Sequence, residues 1–210
     1  PSFLNEIKLL KPDIFIVVAF RMLPKILWEI PKKGTINLHA SLLPNLRGAA
    51  PIHWAIINGL QKTGVSTFYI NENIDCGEII EQKKVSISEN ENTGELYNKL
   101  KKIGALTILS TLEKIDEKDF KSIKQNESKE NLKAPKLNRE NTKIDWNKPS
   151  NEIHDFIRGL NPFPSAWTSI TENKKILKIY KSRRYSSIIN EKQKPGTIIM
   201  NKNILLISTS

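Results

Sequence analysis

Asn37 and His39, two positions apart in Thr35-Ile36-Asn37-Leu38-His39, are the residues whose types and spacing best suit chemistry. A side-chain amide can donate to an oxygen that gains negative charge during a reaction, a contribution typically worth ~100- to 1000-fold in rate. An imidazole can take a proton near neutral pH, typically worth ~100- to 10,000-fold. If the run is a strand, residues two apart project from one face, so Asn37 and His39 share a direction and Leu38 turns to the core. The segment that follows, Ser41-Leu42-Leu43-Pro44-Asn45-Leu46-Arg47-Gly48-Ala49-Ala50-Pro51, has small residues where backbone can approach a ligand. Pro51 suits the first position of a helix, whose unpaired N–H groups could face an anion. On spacing alone, a strand-to-helix turn with a structural histidine fits equally well.

Such a pair needs a scaffold, and the chain has the pattern of one. The run Ile14-Phe15-Ile16-Val17-Val18-Ala19 reads as a strand buried on both faces. Further strands are expected at 35–39, 65–70 and 77–87, with a helical turn at 24–30 and a helix from Pro51. Residues 93–115 read as a long helix, with Thr93 as its cap and Leu96, Leu100, Ile103, Leu106, Leu109 and Leu112 as its apolar stripe. Alternating strands and helices imply an α/β domain with a mostly parallel sheet, whose ligand crevice lies beyond the C-terminal ends of the strands. Residues 116–138 are rich in Lys, Glu, Asn, Ser and Gln and read as a solvated connection. Beyond it, a short helix at 151–160 and strands at 166–170, 175–181, 196–200 and 204–208 suggest a small β-rich second domain.

Bulk properties narrow the function classes. At 39% hydrophobic and 26% charged, the chain of 210 residues has ordinary globular composition. No apolar run approaches the ~20 residues of a membrane-spanning helix. The single cysteine, Cys76, cannot form an internal disulfide, and His39, His53 and His154 give no zinc-type spacing with it. No metal is therefore expected. The charge is uneven: residues 1–120 carry +1 and residues 121–210 carry +10 of the formal +11. A neutral half beside a basic half suggests two modules with different partners. The chain begins with Pro1 rather than Met, and 204–210 ends within a strand-like run. The expectation is a fragment of a longer protein, with an unfinished sheet edge and little activity of its own.

The motif Asn37-Leu38-His39-Ala40-Ser41-Leu42-Leu43-Pro44-Asn45-Leu46-Arg47-Gly48-Ala49-Ala50-Pro51 resembles the signature of the folate-dependent formyltransferases. Ile70-Asn71-Glu72-Asn73-Ile74-Asp75-Cys76-Gly77-Glu78-Ile79-Ile80 is similar to that family's second loop, in the expected order and at about the expected distance. The stretch 144–167, which contains Gly159-Leu160-Asn161-Pro162-Phe163-Pro164, looks like the C-terminal domain of the family members that act on methionyl-tRNA. Together the likeness runs from about residue 13 to about residue 199. It implies a partial Rossmann-like formyltransferase domain at 1–115 with its first strands missing, a linker at 116–137, and an OB-like tRNA-binding domain at 138–210. It also implies catalytic roles for Asn37, His39 and Asp75, contact between folate and Ser41, Leu42, Leu43 and Pro44, and a pterin pocket near residues 16–20 and 71–75. The implied reaction moves the formyl group of 10-formyltetrahydrofolate to the amine of methionine on initiator tRNA, in the cytoplasm, by a monomer with no membrane partner. One departure stands out: Phe20-Arg21 occupies the place where the family usually has Tyr-Gly.

The remaining candidates read more plainly. His53, His154, Phe163 and Trp167 are expected to pack, and Cys76 to be a small loop residue. Lys174, Lys175, Lys178, Lys181, Arg183 and Arg184 lie on or beside a strand pair, where cations can neutralise RNA phosphates. Other acceptors for the same fold are a sugar amine or, in a hydrolase, water. A non-catalytic RNA-binding protein on this scaffold is the reading from another class.

Overall fold

The computed structural model describes residues 2–19, 22–126, 128, 131–170, 175–185, 193–201 and 204–210. In chain order the elements are α1 (Ser2–Leu9), β1 (Phe15–Val18), α2 (Lys25–Trp28), β2 (Thr35–His39), β3 (Arg47–Gly48), α3 (Pro51–Ile57), β4 (Lys62–Tyr69), β5 (Ile79–Ser86), α4 (Thr93–Ile115), β6 (Lys133–Ala134), α5 (Ser150–Gly159), β7 (Ala166–Ser169), β8 (Ile176–Ile179), β9 (Ile198–Asn201) and β10 (Ile204–Ile207). They fall into two compact units. The first holds Pro1–Ile52, Lys62–Ser86 and Tyr97–Lys136; the second holds His53–Gln61, Ile87–Leu96 and Leu137–Ser210.

The first unit is built on a four-stranded sheet in the order β1-β2-β4-β5. β1 and β2 run parallel, whereas β4 is antiparallel to both β2 and β5. The sheet is therefore mixed rather than mostly parallel. Strand–helix alternation suggested parallel pairing, but the nine residues 70–78 between β4 and β5 are too few for a parallel crossover. β4 is the strand buried along its length, from Thr63 to Phe68. β1, expected to be buried on both faces, lies at the sheet edge with Ile16 42% and Val18 52% exposed.

Helix α4 covers its predicted span, but its buried stripe differs from the predicted one. Leu96, Leu100, Thr107 and Thr111 are buried, with Gly104 in line, while Leu106 and Leu109 are 68% and 60% exposed. Each step of three residues turns about 300°, so a run of threes walks off the face that alternating threes and fours keep. A Cβ on Gly104 would stand 2.8 Å from Leu38 Cδ2, so the missing side chain makes room for the leucine between Asn37 and His39.

In the second unit, Ile144, Ile153, Ile157, Leu160 and Ala166 form the core, with Ile57, Leu137, Trp146, Phe156 and Ile179 packed against it. β7 pairs with β8 and β9 with β10, both antiparallel, so the unit is β-rich as expected. The first turn of α4 is capped by Asn92, not by Thr93. Glu95 N–H donates to Asn92 Oδ1 at 3.0 Å and Asn92 N–H donates to Glu95 Oε2 at 2.9 Å, a reciprocal capping box. The Thr93 hydroxyl instead donates to the Gly159 carbonyl at 2.6 Å.

Candidate active site

β2 sits between β1 and β4, which fixes the direction of its side chains. Asn37 lies opposite Val17 on one side and Phe68 on the other, and His39 lies opposite Ser66. The chain then turns sharply through a cis Leu43–Pro44 bond, Leu46 at φ 61 and Gly48 at φ 126. Ser66 pins this turn: its hydroxyl donates to the Ser41 carbonyl at 2.6 Å and accepts from Leu43 N–H at 3.1 Å. Gln82 Nε2 donates to the Leu43 carbonyl at 2.9 Å. Ser41 and Leu43 are buried; Leu43 joins Phe68 and Ile79 in the core, and the Ser41 hydroxyl donates to the Asn45 carbonyl at 2.6 Å. Leu42 and Pro44 are half-buried.

Asp75 arrives from the loop between β4 and β5. Its Oδ2 stands 3.7 Å from His39 Nδ1 and accepts the Gly48 N–H at 2.9 Å. Both side chains are nearly buried. His39 Nε2 lies 2.9 Å from the Leu46 carbonyl, which can only accept, so Nε2 carries a hydrogen. In the neutral ring the basic nitrogen is then Nδ1, the one that faces Asp75. At 3.7 Å the two are too far apart for a direct hydrogen bond but close enough for an ion pair if the ring is protonated.

Asn37 and Asp75 line one cavity of about 400 Å³. Its walls include Val17, Leu23, Trp28, Phe68 and Ile70, with residues 71–75 along the loop side. Apolar walls with a few polar groups are what a flat heterocycle requires. His39 reaches this site through Asp75, whereas Ser41, Leu42, Leu43 and Pro44 are not among the cavity-lining residues. Among the described residues no group of three His, Cys, Asp or Glu side chains could hold a metal ion.

Composition concealed a third contributor. Residues 116–137, expected to be a solvated linker, run mostly within the first unit and pair with it. β6 pairs with β3, Ile123 and Ile79 exchange two backbone hydrogen bonds of 2.8 Å, and Leu46 N–H donates to the Leu132 carbonyl at 2.6 Å. A Cβ on Gly48 would stand 2.4 Å from the Ala134 carbonyl oxygen, so only glycine fits where β3 meets β6. Gln125 reaches the Asp75 loop itself, donating to the carbonyls of Asp75 at 2.9 Å and Gly77 at 2.7 Å. A lone glutamine in a Lys- and Glu-rich run carries no sequence signal of such a role.

The other candidates lie elsewhere. His53 Nε2 lies 3.0 Å from the Phe163 carbonyl, and burial holds its pKa below the ordinary histidine value. His154 is buried on α5, its Nδ1 3.1 Å from the Ser182 hydroxyl; burial first, then the nearby Arg158, lowers its pKa. Cys76 donates its thiol to the Ile74 carbonyl within the loop. Trp167 is half-buried outside the core cluster, its Nε1–H donating to the Arg139 carbonyl at 2.8 Å and its ring faced by Arg139 and Lys143. Phe163 does not pack: between two prolines in the turn after α5 it is 76% exposed, while Leu160 and Ala166 on either side fill the core. Lys175, Lys178, Lys181, Arg183 and Arg184 are exposed, and Arg184 pairs with Glu89. Lys174, Phe20 and Arg21 lie outside the described residues.

The chain is similar to known proteins along most of its length. The model of the family described as formyl transferase matches residues 1–112, and that of the formyl transferase C-terminal domain matches residues 136–210. A methionyl-tRNA formyltransferase of Flavobacterium johnsoniae is 49% identical over 87% of this chain and 58% of its own length. One from Clostridioides difficile is 45% identical over 99% of this chain and 66% of its own length. The chain spans between 54 and 66% of the length of such curated relatives. Among solved structures, HypX from Aquifex aeolicus in complex with tetrahydrofolic acid shares the fold, with a TM-score of 0.73 at 22% identity over 98% of this chain and 35% of its own. WlaRD, a sugar 3N-formyl transferase studied in the presence of dTDP and 5-N-formyl-THF, is 27% identical with a TM-score of 0.69 over 93% of this chain and 68% of its own. Among the described residues no helix is long and apolar enough to cross a membrane. Matched over more than half its residues by the first model and at 45% identity along nearly its whole length, the chain belongs to the formyl transferase family.

Proposed function

We propose that this chain carries the transfer centre of an enzyme that moves the formyl group of 10-formyltetrahydrofolate to the amino group of methionine on initiator methionyl-tRNA. The observation that carries this reading is the convergence of Asn37 and Asp75 on one cavity, with His39 Nδ1 3.7 Å from the Asp75 carboxylate. The cavity suits a pterin, with apolar walls for its faces and the polar residues of the 71–75 loop for its edge. Residues 41–44 lie outside the cavity wall, so Leu42, Pro44 and main chain are left to meet the folate beyond its pterin, since Ser41 and Leu43 are committed to the interior. 10-Formyltetrahydrofolate carries its formyl group on N10; the methionine amine attacks the formyl carbon, a new C–N bond forms, and the C–N10 bond breaks as the tetrahedral intermediate collapses. Asn37 donates its amide N–H to the formyl oxygen as that oxygen becomes negative. His39, through Nδ1, and Asp75 take the proton that the methionine amine loses and pass it towards the departing N10 nitrogen. No metal is required for these steps.

Residues 1–115 act as the transfer domain, 116–137 as a connection that pairs with it, and 138–210 as the tRNA-binding domain of a cytoplasmic monomer. The exposed cations Lys178, Lys181 and Arg183 are suited to RNA phosphates, which require charge but no base readout. The test supplies the full-length protein and 10-formyltetrahydrofolate with charged initiator tRNA in one arm and a nucleotide-sugar amine in the other. Formylation of the tRNA alone is expected. Formylation of the sugar amine alone would make the protein a sugar N-formyltransferase, and binding of tRNA without transfer would make it an RNA-binding relative.

A further inference from the structure

We infer that Gln125 is a positioning residue of the transfer centre: its side-chain amide fixes the main chain at Asp75 and thereby sets where the Asp75 carboxylate stands against His39. The inference rests on the catalytic role proposed for Asp75. Four hydrogen bonds converge on this one amide. Its Nε2 donates to the carbonyls of Asp75 at 2.9 Å and Gly77 at 2.7 Å. Its Oε1 accepts from Arg47 Nε at 3.1 Å and Arg47 Nη2 at 2.7 Å. A guanidinium only donates and a carbonyl only accepts, so all four contacts require the same orientation of the amide, and both of its amide hydrogens are used. Gln125 therefore ties two loops that meet at the carboxylate. Arg47 precedes Gly48, whose N–H holds Asp75 Oδ2, and Asp75 and Gly77 belong to the loop that delivers the carboxylate.

Asp75 sits at φ 54, in the left-handed region that is uncommon for non-glycine residues and that aspartate tolerates better than most, so contacts around the loop help to fix it there. Gln125 is itself anchored two residues away by the pair of backbone hydrogen bonds between Ile123 and Ile79. Without the amide, the Asp75 and Gly77 carbonyls lose the Gln125 donor and Arg47 loses the Gln125 oxygen at once. The Gly48 N–H would then remain as the hydrogen bond to the carboxylate, without a hold on the main chain from Gln125.

The test uses Gln125→Ala and Gln125→Glu in the full-length protein, each alone and combined with Asp75→Asn. Gln125→Glu keeps an acceptor for Arg47 but turns a carboxylate oxygen towards two carbonyls, so it separates the loop-holding donors from the arginine contact and from simple loss of bulk. Both single variants are expected to lower kcat by about 10- to 100-fold, the scale of a small misplacement of reacting groups, with KM for folate and tRNA within about twofold. Adding either to Asp75→Asn should cost less than about twofold more, because the damage passes through the same carboxylate. Hydrogen exchange at the Gly48 amide should accelerate in Gln125→Ala, a change independent of catalysis. Fully additive losses, or wild-type kcat and wild-type Gly48 exchange in both single variants, would overturn the inference. Wild-type turnover in Asp75→Asn itself would instead defeat the proposed role of Asp75, and with it the catalytic consequence of Gln125.

Discussion

Asp75 is held from two sides by regions of different character. Its carboxylate is held by the loop after β2, through the N–H of Gly48, a donor that no substitution short of proline removes. Its main-chain carbonyl is held from the 116–137 segment, through the side chain of Gln125, fifty positions away in the chain. The first hold is backbone and lies among residues whose conformations are dictated locally, by a cis Leu43–Pro44 bond and a glycine at φ 126. The second is a single long side chain brought in by tertiary structure. A backbone hold tolerates most sequence change but fails if the loop shifts; a side-chain hold can be undone by one codon without moving the loop's own chain.

The largest effect that leaves both holds in place is expected from Asn37→Ala. Loss of its amide should cut formyl transfer by about 100- to 1000-fold, with Gly48 exchange and thermal stability unchanged; stopped assays beside a melting curve check this. Gly48→Ala breaks the backbone hold directly. The added Cβ would stand 2.4 Å from the Ala134 carbonyl oxygen at a φ of 126, so the loop must move. A stability loss of about 1–3 kcal/mol from the forced backbone conformation should accompany slowed turnover, read by denaturant titration and initial rates. Ser66→Ala disturbs neither hold. It strips the Ser41 carbonyl of its donor and the Leu43 N–H of its acceptor, for a loss of about 1–3 kcal/mol, while kcat at a temperature where the variant is folded should stay near wild type. A large kcat loss in Ser66→Ala at full folding would show that the Ser66 hydroxyl, and not the turn alone, sets how residues 41–44 meet the folate.

The two holds also mark where sequence reasoning succeeds. Asn37, His39 and the turn after them were legible because period-two geometry, small residues and a proline constrain the chain over a few positions. β2 and α4 appear with their expected bounds for the same reason. The chemistry proposed for Asn37 and His39, which spacing alone leaves open, rests on the resemblance carried by Ser41-Leu42-Leu43-Pro44 and by the Asp75 loop. The 116–137 segment was illegible because its anchoring rests on scattered contacts, the Gln125 amide, one Ile123–Ile79 pair and a two-residue strand, inside a composition that otherwise suits solvent. The mixed sheet was missed because strand–helix alternation says which elements exist, not the direction in which β4 returns beside β2. The buried face at the rear of α4 is not legible from its leucines, because helical rotation buries Thr107 and Thr111 and exposes Leu106 and Leu109.

The most direct test of the whole account is single-turnover formyl transfer to methionyl initiator tRNA by the full-length protein carrying Asp75→Asn. The substitution keeps the side chain's shape and an oxygen for the Gly48 N–H but removes the charge and basicity beside His39 Nδ1. The account predicts a fall of about 100-fold or more in the rate of transfer, with folate and tRNA still bound and the fold intact. Transfer at the wild-type rate would contradict it.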